Sequence, residues 1–234
     1  MKKRLIIAII CVWAASVIGI AGYYFLHRHR VQENEDQRIE VVNEMVNDIK
    51  NESKHSFVVS ANELPVEGDE EDYPVVEEQP EEVEPESDTE NNNNDSYNGS
   101  SDYTLISYGT ISIPSISCEL PVWEGAGKIE LRYGAGRMPT SALAGQEGNL
   151  VIFGHRMKRY GSMFNRLGEV SIGDSIVITT ENESVTYIVD EIETISPSEL
   201  SAYIAMSDGV RITLITCTPT GVGSHRLLII GHAA

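Results

Sequence analysis

The chain has 234 residues and a formal net charge of −19. Phosphate binding needs clustered Lys and Arg, so this charge argues against nucleic acid as a partner. Residues 1–62 carry 8 basic and 7 acidic side chains, residues 63–100 carry 15 acidic and no basic ones, and residues 101–234 carry 9 basic and 14 acidic ones, so the acidity belongs to the middle of the chain.

After Met-Lys-Lys-Arg, residues 5–26 are uncharged and mostly apolar. At ~1.5 Å per helical residue they reach across a ~30 Å hydrocarbon core. Tyr23 and Tyr24 stand where interfacial aromatics belong. A cleavable signal peptide has a shorter apolar region and an Ala-x-Ala-like end, whereas this one ends in Tyr-Tyr-Phe-Leu-His-Arg-His-Arg. Residues 1–30 therefore read as an uncleaved membrane anchor, and its basic flank slightly favours a cytoplasmic N-terminus. Residues 31–55 predict a helix with an apolar stripe at Ile39, Val42, Val46 and Ile49, with Met45 beside it. Two heptads are too few to define a coiled coil, so residues 31–62 are expected to be a solvated juxtamembrane stalk. Residues 63–102 read as a disordered acidic linker, because like charges and prolines prevent a packed core. A flexible chain of 38 residues spans roughly 35 Å, and the linker is expected to hold residues 103–234 away from the membrane.

From Tyr103 onward the texture changes to short strands punctuated by Gly, Pro, Asn and Asp. The patterns predict strands over 105–116, 149–153, 175–180, 185–195, 210–217 and 226–230. Helical signals are short, at 129–133, 162–167 and 198–204. Many short strands with few helices indicate a β-barrel or a sandwich.

The three cysteines, Cys11, Cys118 and Cys217, form no Cys-x-x-Cys pair and no disulfide framework. Cys217 ends the apolar run Val-Arg-Ile-Thr-Leu-Ile-Thr-Cys and precedes Thr-Pro, a placement suited to exposure at a barrel rim. To act as a nucleophile, a thiol needs a lowered pKa or a nearby base. His155, which closes Asn-Leu-Val-Ile-Phe-Gly-His, is such a candidate. Arg226 opens a strand nine residues after Cys217, and pairing of the two strands brings it beside the cysteine. A buried cysteine is commonly a small hydrophobe, so these residues alone leave a reactive site and a packed thiol both open. Cys118 reads as packing. His225 is expected on the face opposite Arg226.

Thr213-Leu214-Ile215-Thr216-Cys217 resembles the Thr-Leu-x-Thr-Cys signature of the sortases, membrane-anchored cysteine transpeptidases of Gram-positive bacteria. Gly154-His155-Arg156 resembles their catalytic-histidine strand end, and Ser224-His225-Arg226-Leu227-Leu228 their catalytic-arginine strand, in family order over roughly residues 104–232. The resemblance implies a mostly β fold, a closed barrel of about eight strands with short helices, preceded by an N-terminal transmembrane helix. It implies Cys217 as nucleophile, His155 as general acid and base, Arg226 as oxyanion donor and Thr216 as a further contact to the substrate. It requires no metal or organic cofactor. The expected partners are secreted proteins with a Leu-Pro-x-Thr-Gly-like sorting signal, and a peptidoglycan-precursor or pilin amine as acceptor. The expected location is the cell membrane, single-pass, with an extracellular catalytic domain. The run from Thr216 to Leu228 is most like class C and class E members, while the missing Asp-Pro-aromatic motif before Leu131 and the single N-terminal span oppose class C. A cysteine protease releasing peptides to water is the rival activity.

Overall fold

The computed structural model describes residues 2–52, 54–60, 102–159 and 161–234. Helix α1 runs Lys2–Glu52. Nine strands follow: β1 Ser56–Ser60, β2 Asp102–Ile113, β3 Cys118–Glu124, β4 Ala135–Arg137, β5 Gly148–Gly154, β6 Ser175–Thr179, β7 Ser184–Ile195, β8 Val210–Thr218 and β9 His225–Ala233. The helices α2 (Lys128–Tyr133) and α3 (Leu200–Ile204) are short. The sheet order is β1-β2-β3-β4-β5-β8-β9-β7-β6, and a β2–β6 pairing closes eight of the strands into a barrel. Closure removes the unpaired sheet edges that eight such strands would otherwise expose. The β5–β8 and β3–β4 pairs are parallel, and the other ladders are antiparallel.

Strand alternation sorts the apolar residues into two groups. Leu150 and Ile152 of β5, Ile212 and Leu214 of β8, and Leu227 and Ile229 of β9 fill the barrel together with Ile111, Ile176 and Phe164. Their neighbours Val151, Phe153, Ile215, Leu228 and Ile230 form a second cluster on the outer face, covered by Leu131 of α2 and Leu200 of α3.

Several expectations change. The strand expected over 105–116 ends at Ile113 in a 3₁₀ turn. Strands β1, β3 and β4 escaped the sequence pattern. The helix expected at 162–167 is a series of turns ending in a 3₁₀ turn at Leu167–Glu169.

The largest revision concerns residues 31–62. Their helix ends at Glu52, and its stripe is not solvated: Arg38, Val42, Met45 and Val46 are buried. Val42 joins the barrel core, and Met45 packs with Phe57, Val59, Leu105 and Trp123. The cause lies in β1, which pairs with the start of β2 from Ser56↔Ile106 to Ser60↔Asp102 and delivers the helix before it onto the barrel. Residues 61–101 lie outside the described residues, so the expected disorder of the acidic segment falls there. Its two flanks, Ser60 and Asp102, are cross-strand partners, about 5 Å apart between Cα atoms in such a ladder. Among the described residues, no helix is long and apolar enough to cross a membrane.

Candidate active site

The parallel register Phe153↔Ile215, continued by two residues, brings His155 level with Cys217. On the other side of β8, Cys217 and Arg226 are direct cross-strand partners, so their side chains share a face. That face is the outer one, because Cys217 follows Ile215, and Arg226 precedes Leu228, by one full alternation. The three expected residues therefore gather at one end of the outer apolar cluster. All three are buried: Cys217 is 1% exposed, Arg226 4% and His155 7%.

Each is held locally. Gly154 sits so close to Phe164 that a Cβ there would lie 2.4 Å from the ring, so only glycine lets this ring pack under the end of β5. The Phe164 N–H then donates to the His155 carbonyl at 2.9 Å. The Arg226 Nη1 donates to the carbonyls of Gly223 (2.7 Å) and His225 (3.1 Å), so the loop from β8 to β9 fixes the guanidinium over its own strand. Gly223 has φ +66°, which suits glycine in that loop. Arg156 donates from Nη1 to Thr218 Oγ1 at 2.8 Å and ties the histidine loop to the residue after the cysteine.

Thr216 takes a different place from the one expected of a substrate contact. Alternation turns it to the barrel side, it is fully buried, and its hydroxyl donates to the Gly154 carbonyl at 2.7 Å. It is a strut between β5 and β8, one residue from both His155 and Cys217. His225 opens β9 and is exposed, with Ser224 Oγ 2.9 Å from its Nδ1. His232 lies at the far end of β9 against Asp190.

The sequence reading passed over the residues that roof the outer face. Asn149 is buried at the start of β5; its Nδ2 donates to the Tyr203 carbonyl at 3.0 Å, and its Oδ1 accepts from Thr213 Oγ1 at 2.9 Å. It thereby binds α3 to β5 and β8. The turn before α3 carries a capping box in which the Ser196 hydroxyl (2.7 Å) and N–H (2.8 Å) donate to Glu199. These bonds hold the exposed Glu199 carboxyl below its ordinary pKa. A Ser-Pro-Ser-Glu sequence is the detectable signal for such a cap. Asn149 has only a weak signal, a lone amide at the head of an apolar run.

The second cysteine of the domain is a contrast. Cys118 packs in the barrel core, its Sγ faces the Met163 carbonyl at 3.8 Å, and burial pushes its pKa up to about 12. It is a packing residue, because a thiol that stays protonated is a poor nucleophile. Among the described residues, no group of three or more His, Cys, Asp or Glu is arranged to hold a metal ion.

The sortase domain family model matches residues 111–234, more than half of the chain, and the protein belongs to the sortase family. The chain is 32% identical over 124 residues to sortase A of Listeria monocytogenes, covering 53% of this chain and 55% of that one. It is 28% identical over 126 residues to sortase D of Bacillus subtilis, covering 53% and 62%. Among solved structures it resembles sortase A from Corynebacterium diphtheriae (35% identity, TM-score 0.52, 56% of this chain and 61% of that one). It also resembles the pilus-related sortase C of Group B Streptococcus (32% identity, TM-score 0.52, 55% and 67%). The chain spans about half the length of the curated relatives it matches.

Proposed function

We propose that this protein is a cysteine transpeptidase that cleaves a Leu-Pro-x-Thr-Gly-like sorting signal after Thr and transfers the acyl group to an amine. The observation that carries the reading is the meeting of Cys217, His155 and Arg226 on one outer sheet face, at the end of the outer apolar cluster.

In this reading the Cys217 thiolate attacks the threonine carbonyl. The carbonyl π bond opens, and the charge that develops on oxygen is met by N–H donors of the Arg226 fork. Collapse of the intermediate breaks the C–N bond to glycine as the His155 imidazolium gives its proton to the leaving amine. A thioester and a neutral imidazole remain. The acceptor amine binds next, loses a proton to His155 and attacks the thioester, and the Cys217 thiolate leaves. Protons and charge return to their starting places, so the cycle needs no cofactor. Burial of the site keeps water from intercepting the thioester, which favours transfer over hydrolysis.

The acceptor we infer is a cell-wall precursor amine. Likeness to pilus-related sortase C supports a second reading, with a pilin lysine as the acceptor. Anchoring belongs to the same proposal. Its support is the uncharged, mostly apolar stretch of residues 5–26, and the basic Lys2, Lys3 and Arg4 before it favour an N-terminus inside and a barrel outside.

The test is a peptide-library transpeptidation assay with mass spectrometry of the intact protein. The expected result is an acyl adduct on Cys217 whose mass ends at threonine, resolved by added amine, and absent in Cys217→Ala. Turnover by Cys217→Ala at the wild-type rate overturns the reading, and release to water alone with excess amine present indicates a protease.

A further inference from the structure

The loop that carries His155 is tied to the N-terminal helix through a buried arginine. Arg38 is 1% exposed. Its Nη2 donates to Ser162 Oγ at 3.2 Å, and its Nη1 approaches the Met157 sulfur at 3.8 Å. Glu35, one helical turn earlier, pairs with the same guanidinium. Met157 lies two residues after His155, and its carbonyl accepts from Asn165 Nδ2 at 2.5 Å. Ser162 lies two residues before Phe164, whose N–H holds the His155 carbonyl. Arg38 thus grips the loop at two points, each two residues from a partner in the Phe164–His155 bond. Asp36 adds an ion pair to Arg159 of the same loop, although at an exposed position such a pair counts for little.

Docking of α1 does not require this arginine. Val42, Met45 and Val46 already bury the apolar stripe against the barrel, and an aliphatic residue at position 38 would extend it. A guanidinium taken out of water is costly unless its donors are well placed, and the donors of Arg38 reach the histidine loop.

We propose that Arg38 is a positioning residue for the reaction: through Met157 and Ser162 it fixes the loop that sets His155 beside Cys217. This rests on the transpeptidase reading above. It makes the catalytic unit larger than the family-matched region, because a residue more than 70 positions before that region, on α1, helps to place the general acid. It also gives the N-terminal helix a mechanical link to the chemistry, since α1 is continuous from Lys2 to the grip at Arg38.

The experiment uses the full chain in detergent. Arg38→Met keeps the length and removes the fork, Arg38→Lys keeps the charge, and Met45→Ala weakens the same docking helix at a position that packs with Phe57, Val59, Leu105 and Trp123 rather than with the loop. Two readouts are taken: kcat and KM for the sorting-signal peptide, and the pH profile of Cys217 alkylation by iodoacetamide, which needs no peptide. For Arg38→Met the expected result is a fall in kcat of roughly 10-fold or more, because small misplacement of a catalytic group is costly. KM should stay within about twofold, and the alkylation profile should shift. Arg38→Lys should recover part of kcat, and Met45→Ala should lower the melting temperature with both profiles unchanged. If Arg38→Met behaves like Met45→Ala, with stability lost and both profiles as in wild type, the proposal is overturned. If Arg38→Met fails to fold, Arg38→Lys decides: wild-type kcat and alkylation profile overturn the proposal, and a shifted profile with reduced kcat supports it. A wild-type chain that forms no Cys217 acyl adduct overturns the transpeptidase reading instead, and the alkylation profile still tests Arg38.

Discussion

The two faces of β5, β8 and β9 differ by one residue in phase and by everything in role. Leu150, Ile152, Ile212, Leu214, Leu227 and Ile229 point into the barrel, where they are buried among aliphatic neighbours. The alternate positions point outward, first to the apolar cluster and then, at the strand ends, to His155, Cys217 and Arg226. A slip of one residue in register would exchange the two sets. Stability and chemistry are thus separated by alternation along the same three strands. The cysteines show the same division: Cys118 lies in the inner core and Cys217 on the outer face.

The sharpest way to break this comparison is to damage each face alone. Leu214→Ala opens a cavity at a fully buried inner position and should cost about 2–5 kcal/mol of stability, read from urea denaturation. Acyl transfer per folded molecule should stay within about twofold. Arg226→Ala on the outer face should reduce kcat/KM by roughly 10²–10³-fold, in the range of losing one oxyanion donor. Arg226→Lys should lose less, because a point charge replaces the fork rather than nothing. If Leu214→Ala slows transfer per folded molecule as much as Arg226→Ala does, the faces are not independent.

Thr216→Val tests an inner residue that adjoins the site. It removes the hydroxyl and leaves the buried Gly154 carbonyl without that donor. The expected loss is about 1–2 kcal/mol of stability and a fall in kcat of less than roughly 10-fold, with KM unchanged. A rise in KM with unchanged stability would return Thr216 to the substrate side.

Which of these features the sequence disclosed follows from how local they are. The three candidate residues stood out because each lies at the end of an apolar run, and β5, β8 and β9 are long enough to show their texture, but their roles came only from the sortase resemblance. The sites of β3 and β4 were hidden: β4 has three residues, Ala135–Arg137, too few for any period. The stripe on α1 was legible as a stripe but not as an interface, because its partner is brought by β1, a five-residue strand that pairs across the acidic segment. No local pattern announces that Ser60 will meet Asp102. The charge of residues 63–100 therefore suggested a leash, while the pairing of its flanks makes α1 and β1 part of the barrel's own packing. Arg38 was invisible for the same reason, since its partners on the histidine loop, Met157 and Ser162, lie more than 100 residues away.

The smallest expected effect at neutral pH concerns Cys118, and it gives the inner face its own test. Burial raises the folded pKa of this thiol to about 12, whereas an unfolded cysteine ionises near ~8.5. The folded state therefore holds a proton that the unfolded state releases. Stability linked to this group is fully present below the unfolded value and is lost as pH rises toward about 12. Cys118→Ala removes the linkage, so its stability should fall less steeply than that of the wild type between roughly pH 9 and pH 11, where denaturation midpoints can be compared. In a Cys217→Ala background, Cys118 should also resist alkylation at about pH 9 until urea unfolds the barrel, because the thiolate is the reactive form. Rapid labelling of the folded chain would place Cys118 within reach of solvent and remove the contrast between the two faces on which its assignment as packing depends.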